Sequence, residues 1–183
     1  MIENEFKLML TEEQYGQLRG AYDFNTITQT NHYYDTNDLQ MSEKHITVRV
    51  RELDGRFFLQ MKLPTGVDFS RVELSRELDE LPDEISGELL RSLSGEELPA
   101  LKRLGALSTT RSIWEFDGGE LDLDRSEYFG KVDYEAEIEF TDEQAARAVL
   151  AEIKKKLGIT ASSDVCTGKL RRFLEEYRKQ LQR

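Results

Sequence analysis

Eight segments of this chain read as strands, 2–10, 27–36, 45–53, 56–63, 69–78, 109–116, 120–129 and 132–140: the second is rich in β-branched and aromatic residues, and most of the others alternate apolar and polar side chains with a period of two. That is the period of a β-strand, whose successive side chains point to opposite faces of a sheet. Asp54-Gly55 joins the third and fourth segments, and Asp117-Gly118-Gly119 joins the sixth and seventh. Asp-Gly supplies the positive φ angles of a tight hairpin turn, so these neighbours pair antiparallel. Helices are confined to the flanks. Thr11 with Gln14, and Thr141 with Gln144, are capping-box signatures that open helices expected over 12–22 and 141–157, the second stopped by Gly158. Residues 79–108 carry Pro82, Pro99 and leucines three and four apart, the pattern of two short helices outside the sheet; a last helix is expected over 167–181. The expectation is an α+β chain of 183 residues in one domain, 1–183.

The strands share a division of faces. Ile46, Val48 and Val50, Phe57, Leu59, Met61 and Leu63, Leu121 and Leu123, and Ala136, Ile138 and Phe140 lie on apolar faces. Opposite them stand Arg49 and Arg51, Gln60 and Lys62, Asp122 and Asp124, and Glu135, Glu137 and Glu139. An antiparallel sheet with one solvated face alternates in the same way. Rows of like charge such as the three glutamates repel, however, unless opposite charges or ions lie across from them. Antiparallel strands must also deal with their edges, and closure removes edges altogether. These two details favour an eight-stranded antiparallel β-barrel over an open sheet; if it closes with the apolar side outward beneath the helices, its lumen is polar and charged. Because unpaired buried charges cost too much, such a lumen would hold water, metal ions and a polyanion.

Composition narrows the classes. With 36 acidic against 25 basic residues the net charge is −11, which opposes nucleic-acid binding through phosphate neutralisation. No apolar run approaches the roughly 20 residues of a membrane span, and Met1–Glu5 do not begin a secretory signal, so no membrane is expected and the location expected is cytoplasmic. Cys166 is the single cysteine and cannot form an internal disulfide; His32 and His45 are too few for a zinc cage and read as structural or surface residues. Thr167-Gly168-Lys169 lacks the leading glycine of a P-loop.

Several motifs, in this order, resemble the CYTH domain, or triphosphate tunnel metalloenzyme, family. Glu3-Asn4-Glu5-Phe6-Lys7 fits its N-terminal ExExK signature, and NHYYDT at 31–36, VRVRE at 48–52 and LQMKLP at 59–64 follow in the expected order. RVELSRE at 71–77, TTRSI at 109–113, LDLD at 121–124, EAEIE at 135–139 and TGKLRRF at 167–173 complete the set. The resemblance implies a tunnel that binds triphosphate groups and divalent metal. It implies Glu3, Glu5 and Lys7 as catalytic residues, with Lys7, Arg49, Arg51, Lys62, Arg111 and Lys169 on the triphosphate. It further implies metal-side carboxylates at Glu3, Glu5, Glu73, Asp122 or Asp124, Glu135 and Glu137, with Glu139 nearer the mouth.

Arginine offers phosphate a bidentate fork and lysine a mobile point charge. Oxygen-only ligands suit Mg²⁺ or Mn²⁺. The expected activity is metal-dependent removal of the terminal phosphate of a small triphosphate, inorganic tripolyphosphate above all. A class IV-type adenylate cyclase and a thiamine triphosphatase are the alternatives within the family. Trp114, on an apolar face, reads as core rather than a clamp for thiamine. A non-catalytic polyphosphate- or nucleotide-binding module is the alternative outside catalysis. The partner expected is the small triphosphate, the protein being a monomer or homodimer.

Overall fold

The computed structural model describes residues 2–67, 70–160 and 167–182; Phe69 and Cys166 lie outside the described residues. In chain order the elements are β1 (Ile2–Leu10), α1 (Glu12–Arg19), β2 (Asn25–Asp35), α2 (Gln40–Glu43), β3 (Thr47–Leu53), β4 (Arg56–Pro64) and β5 (Ser70–Leu78). There follow β6 (Glu84–Ile85), α3 (Gly87–Ser94), β7 (Leu101–Phe116), β8 (Gly119–Tyr128), β9 (Lys131–Phe140), α4 (Glu143–Lys156) and α5 (Lys169–Leu181). The strand order is β2-β3-β4-β5-β1-β9-β8-β7-β6, and β2 also pairs with β7. That second pairing closes an antiparallel barrel of eight strands with helices outside, the arrangement expected from the edge argument over an open sheet. None of the described helices is long and apolar enough to cross a membrane.

Two compact units make up the chain, one holding Gln29–Ser108 and Gly168–Arg183, the other Glu3–Thr28 and Thr109–Thr167. In the first, β3 and β4 are joined by Asp54-Gly55, both at positive φ (51° and 74°), with Leu53 opposite Arg56. These are the angles of a type I′ turn, whose twist matches that of the flanking strands. The hairpin fixes a register in which Val48, Val50, Leu59 and Met61 share one face and join Tyr34, Met41, Ile85, Leu90 and Leu101 in a buried cluster. Burying each large side chain contributes roughly 1.5–3 kcal/mol.

Two expectations in this unit are corrected. Residues 79–108 hold one helix, α3, followed by a strand that begins at Leu101. The leucines at 101, 104 and 107 mimic a helical stripe, but Leu101 pairs with Ile85 across β6, and both Leu101 and Leu107 are fully buried. Gly105 and the β-branched Thr109 and Thr110 also disfavour helix, so cross-strand pairing decides the segment. In addition, β3 starts at Thr47 rather than 45, because His45 takes a left-handed φ of 58°.

In the second unit α1 carries the expected capping box: the Thr11 side chain accepts from the Gln14 N–H, and the Gln14 side chain accepts from the Thr11 N–H. The helix ends at Arg19 and not at 22, because Gly20 caps it and Tyr22 leaves to pack, tilted, against Trp114 at 4.6 Å. Trp114 lies 5.8 Å from Phe116 as well, within an apolar aromatic cluster. The cap of α4 also differs from the expectation. Asp142 accepts from the N–H groups of Gln144 (2.8 Å) and Ala145 (3.2 Å), while Thr141 donates its N–H to Gly118 O at 2.9 Å. Gly158, at φ 65°, ends α4: its N–H donates to Lys155 O, and that of Ile159 to Lys154 O, a Schellman pattern. Helices α1 and α4 pack on β9, and Phe6 stacks on Phe140 at 4.6 Å.

Candidate active site

The register of the second unit creates three rows of chemistry across β1, β9 and β8. Glu5 faces Glu139, which faces Glu120; Lys7 faces Glu137, which faces Asp122; Met9 faces Glu135, which faces Asp124. Directly opposed residues share a face, so alternation with Ala136 and Ile138 gathers the carboxylates on one side. Among the described residues, three groups have ligand oxygens within 4.8 Å of one another: Glu3, Glu5 and Glu139; Glu120, Asp122 and Glu139; and Asp124, Glu135 and Glu137.

Two cations cross-link these rows. Lys7 Nζ lies 3.1 Å from Glu5 Oε2 and 2.5 Å from Glu137 Oε1. Arg111, from β7, donates Nε to Asp124 Oδ1 (2.9 Å) and Nη2 to Asp124 Oδ2 (2.7 Å) and Glu137 Oε2 (2.5 Å). Its Nη1 pairs with Asp122 Oδ2 and lies 3.6 Å from Glu139 Oε1. Asp122 and Asp124 are 0% exposed.

The protonation equilibria follow from this crowding. Burial raises the Asp122 carboxyl to about 8; Arg111 opposes the rise, and Asp124, Glu139 and Glu120 add to it. Burial also pushes Glu137 upward, but Lys7 and Arg111 outweigh it and hold the carboxyl at about 2. Burial would lower Lys7 and Arg111, yet the surrounding carboxylates raise both well above their ordinary values. Eight acidic side chains, all hard oxygen donors, gather here around Lys7 and Arg111. Such a donor set fits Mg²⁺ or Mn²⁺.

The first unit presents the opposite chemistry. On the face of β3 and β4 away from the apolar cluster, Arg49 donates Nε to Gln60 Oε1 at 2.8 Å. Gln60 donates onward to Glu73 Oε1 at 3.0 Å. Glu73 Oε2 lies 3.5 Å from Lys62 Nζ and 3.8 Å from Arg49 Nη2. Arg51 donates Nε to Asn31 Oδ1 at 3.2 Å. Tyr33 stands opposite Arg49 and packs on Phe173 of α5 at 4.9 Å. Lys169 is one turn before Phe173 on the same helix face, and it is buried.

The sequence-predicted residues thus fall into two sets. Glu3, Glu5, Lys7, Arg111, Asp122, Asp124, Glu135 and Glu137 belong to the carboxylate centre; Arg49, Arg51, Lys62 and Lys169 belong to the first unit. Glu73 lies among cations rather than in any of the three carboxylate groups. Glu139 and Glu120 were not among the predicted site residues, although Glu139 joins two of the groups. Its place as the third glutamate of an i, i+2 row was the available signal. Gln60 and Asn31 were missed because a neutral amide carries no charge signature.

The chain is a closed antiparallel barrel with helices outside, and one of its units carries a dense carboxylate centre. The CYTH domain family matches residues 1–168, and the chain belongs to that family. It is 30% identical to YjbK of Bacillus subtilis (strain 168), named as a candidate triphosphatase, over 98% of each chain. Among solved structures it is similar to bh2851 of Bacillus halodurans, described as a candidate adenylate cyclase: 28% identity, TM-score 0.73, covering 93% of this chain and 96% of that one. HpAC1 from Hippeastrum, a candidate adenylyl cyclase with a dominant triphosphatase activity, shares the fold at 20% identity and TM-score 0.70, covering 95% of this chain and 96% of that one.

Proposed function

We propose that this protein is a divalent-metal-dependent triphosphatase that removes the terminal phosphate of a small triphosphate, inorganic tripolyphosphate foremost. The observation that carries the reading is the carboxylate centre, in which eight acidic groups bring their oxygens together in sets of three around Lys7 and Arg111. Glu3, Glu5 and Glu139, with Asp122 and Glu137, are the residues to hold Mg²⁺ or Mn²⁺. A bound divalent ion would supply Lewis acidity and screen the carboxylates from the polyphosphate. Arg49, Arg51, Lys62 and Lys169 carry the positive charge that binds phosphate oxygens, Arg49 and Arg51 with the geometry for two bonds each. Lys7 meets charge developing on the transferred group, and Glu5 orients the attacking water. Positioning and electrostatics do most of the work in phosphoryl transfer.

The test is phosphate release from tripolyphosphate, thiamine triphosphate and ATP, with and without EDTA, for wild type beside Glu5→Gln. Release from tripolyphosphate that EDTA abolishes and Glu5→Gln lowers at least a hundredfold is the expected result; a near-normal rate in the variant overturns the role of Glu5. The similarity to bh2851 favours ATP cyclisation as the second reading, and cyclic AMP as the main product from ATP would establish it. Metal-dependent binding without turnover would make the protein a binding module.

A further inference from the structure

We propose that the two aspartates of the Leu121–Asp124 run do different jobs: Asp124 is a positioning residue that fixes the Arg111 guanidinium, and Asp122 alone of the pair faces the metal. The metal half of this statement rests on the reading under Proposed function; the Arg111 half stands on geometry.

Asp124 meets Arg111 fork to fork. Its Oδ1 accepts from Nε at 2.9 Å and its Oδ2 from Nη2 at 2.7 Å, so both oxygens are engaged by one planar group. The carboxylate is 0% exposed, which removes water as a competitor. Paired charge-assisted bonds fix a guanidinium in plane as well as in place. With that edge fixed, Nη1 is turned to Asp122 and stands 3.6 Å from Glu139. Arg111 therefore bridges strands β7, β8 and β9 in one orientation.

Asp122 is engaged differently. It forms an ion pair with Arg111 Nη1, yet among the described residues neither of its oxygens has a hydrogen-bond partner, and it is also 0% exposed. Its oxygen lies within 4.8 Å of oxygens from Glu120 and Glu139. Asp124 has comparable neighbours in Glu135 and Glu137. To take up a metal it would first surrender two short bonds and leave a buried guanidinium short of its partner, whereas Asp122 would surrender one contact. Sequence spacing treats the two aspartates alike; their bonding does not.

The experiment follows the Arg111 Nε–H resonance in ¹⁵N-labelled protein, assigned by its absence in Arg111→Lys, together with Mn²⁺ binding by electron paramagnetic resonance. In wild type the Arg111 signal is protected from exchange and survives saturation with Mg²⁺. Asp124→Asn loses the protection and keeps the wild-type Mn²⁺ affinity; Asp122→Asn keeps the protection and weakens Mn²⁺ by about tenfold or more. Steady-state rates add a third reading: Asp124→Asn and Arg111→Lys combine non-additively, the double variant being no worse than the poorer single one. Retained protection in Asp124→Asn, or weakening of Mn²⁺ as large as that in Asp122→Asn, overturns the proposal. If Asp124→Asn does not fold, the Mg²⁺ titration of wild type decides: loss of the Arg111 signal at saturation means the metal has taken Asp124. If wild type binds no Mn²⁺, the metal reading fails, and the exchange protection in Asp124→Asn judges the Arg111 half on its own.

Discussion

Arg49 and Arg111 are both less than a tenth exposed and both project from the polar face of a strand, yet the two units treat them differently. Arg111 is surrounded by Asp122, Asp124, Glu137 and Glu139, and its charge is consumed in cross-linking strands. Arg49 is oriented through Nε by the neutral amide of Gln60, and the carboxylate of Glu73 is 3.8 Å from Nη2. An amide partner fixes direction without cancelling charge. A carboxylate partner does both, which suits a group meant to hold other carboxylates together.

That contrast is easiest to break at Arg111. Arg111→Gln should cost the metal-free protein about 3–5 kcal/mol, because it leaves buried carboxylates uncompensated. Urea unfolding in EDTA measures the loss, and Mn²⁺ should restore part of it; an unchanged midpoint would show that the pairs carry no net stabilisation. Arg49→Gln is the counterpart. It should leave the unfolding midpoint nearly unmoved and raise KM for tripolyphosphate roughly ten- to a hundredfold, the loss of one or two charge-assisted bonds. Equal stability losses in the two variants would erase the distinction between the units.

The carboxylate centre should also give the metal-free protein a particular pH dependence. Asp122 holds its proton to about 8 when folded, against 3.8 when unfolded, so between these values the folded state binds the extra proton. Stability contributed by this group therefore falls as pH rises from about 4 to about 8 and is level above that. Glu137, held at about 2, acts with the opposite sign and only below its ordinary 4.5. Urea midpoints at pH 5 and pH 8 in EDTA should differ less in Asp122→Asn than in wild type; an identical difference refutes the assignment. The smallest effect is expected at Gln60. Gln60→Leu removes one neutral hydrogen bond to Arg49 and should raise KM roughly two- to tenfold with kcat little changed; loss of kcat alone would give Gln60 another role.

Alternation, together with the β-branched and aromatic content of 27–36 and the Asp-Gly turn, was enough to locate the eight principal strands, the Asp54-Gly55 hairpin and the charged faces, because side-chain direction in a strand follows from period two. It was not enough for residues 101–108, where leucine spacing imitates a helix and the pairing of Leu101 with Ile85 makes a strand. The same division runs through the candidate site. Charge and order in the sequence picked out Glu3, Glu5, Lys7, Arg49, Arg51, Arg111 and the acidic runs. Which of Asp122 and Asp124 grips Arg111, that Glu139 stands between Glu5 and Glu120, and that Gln60 orients Arg49 were decided only when strands distant in sequence came into register. Alternation says which face a side chain occupies; only cross-strand pairing says which partner it meets there.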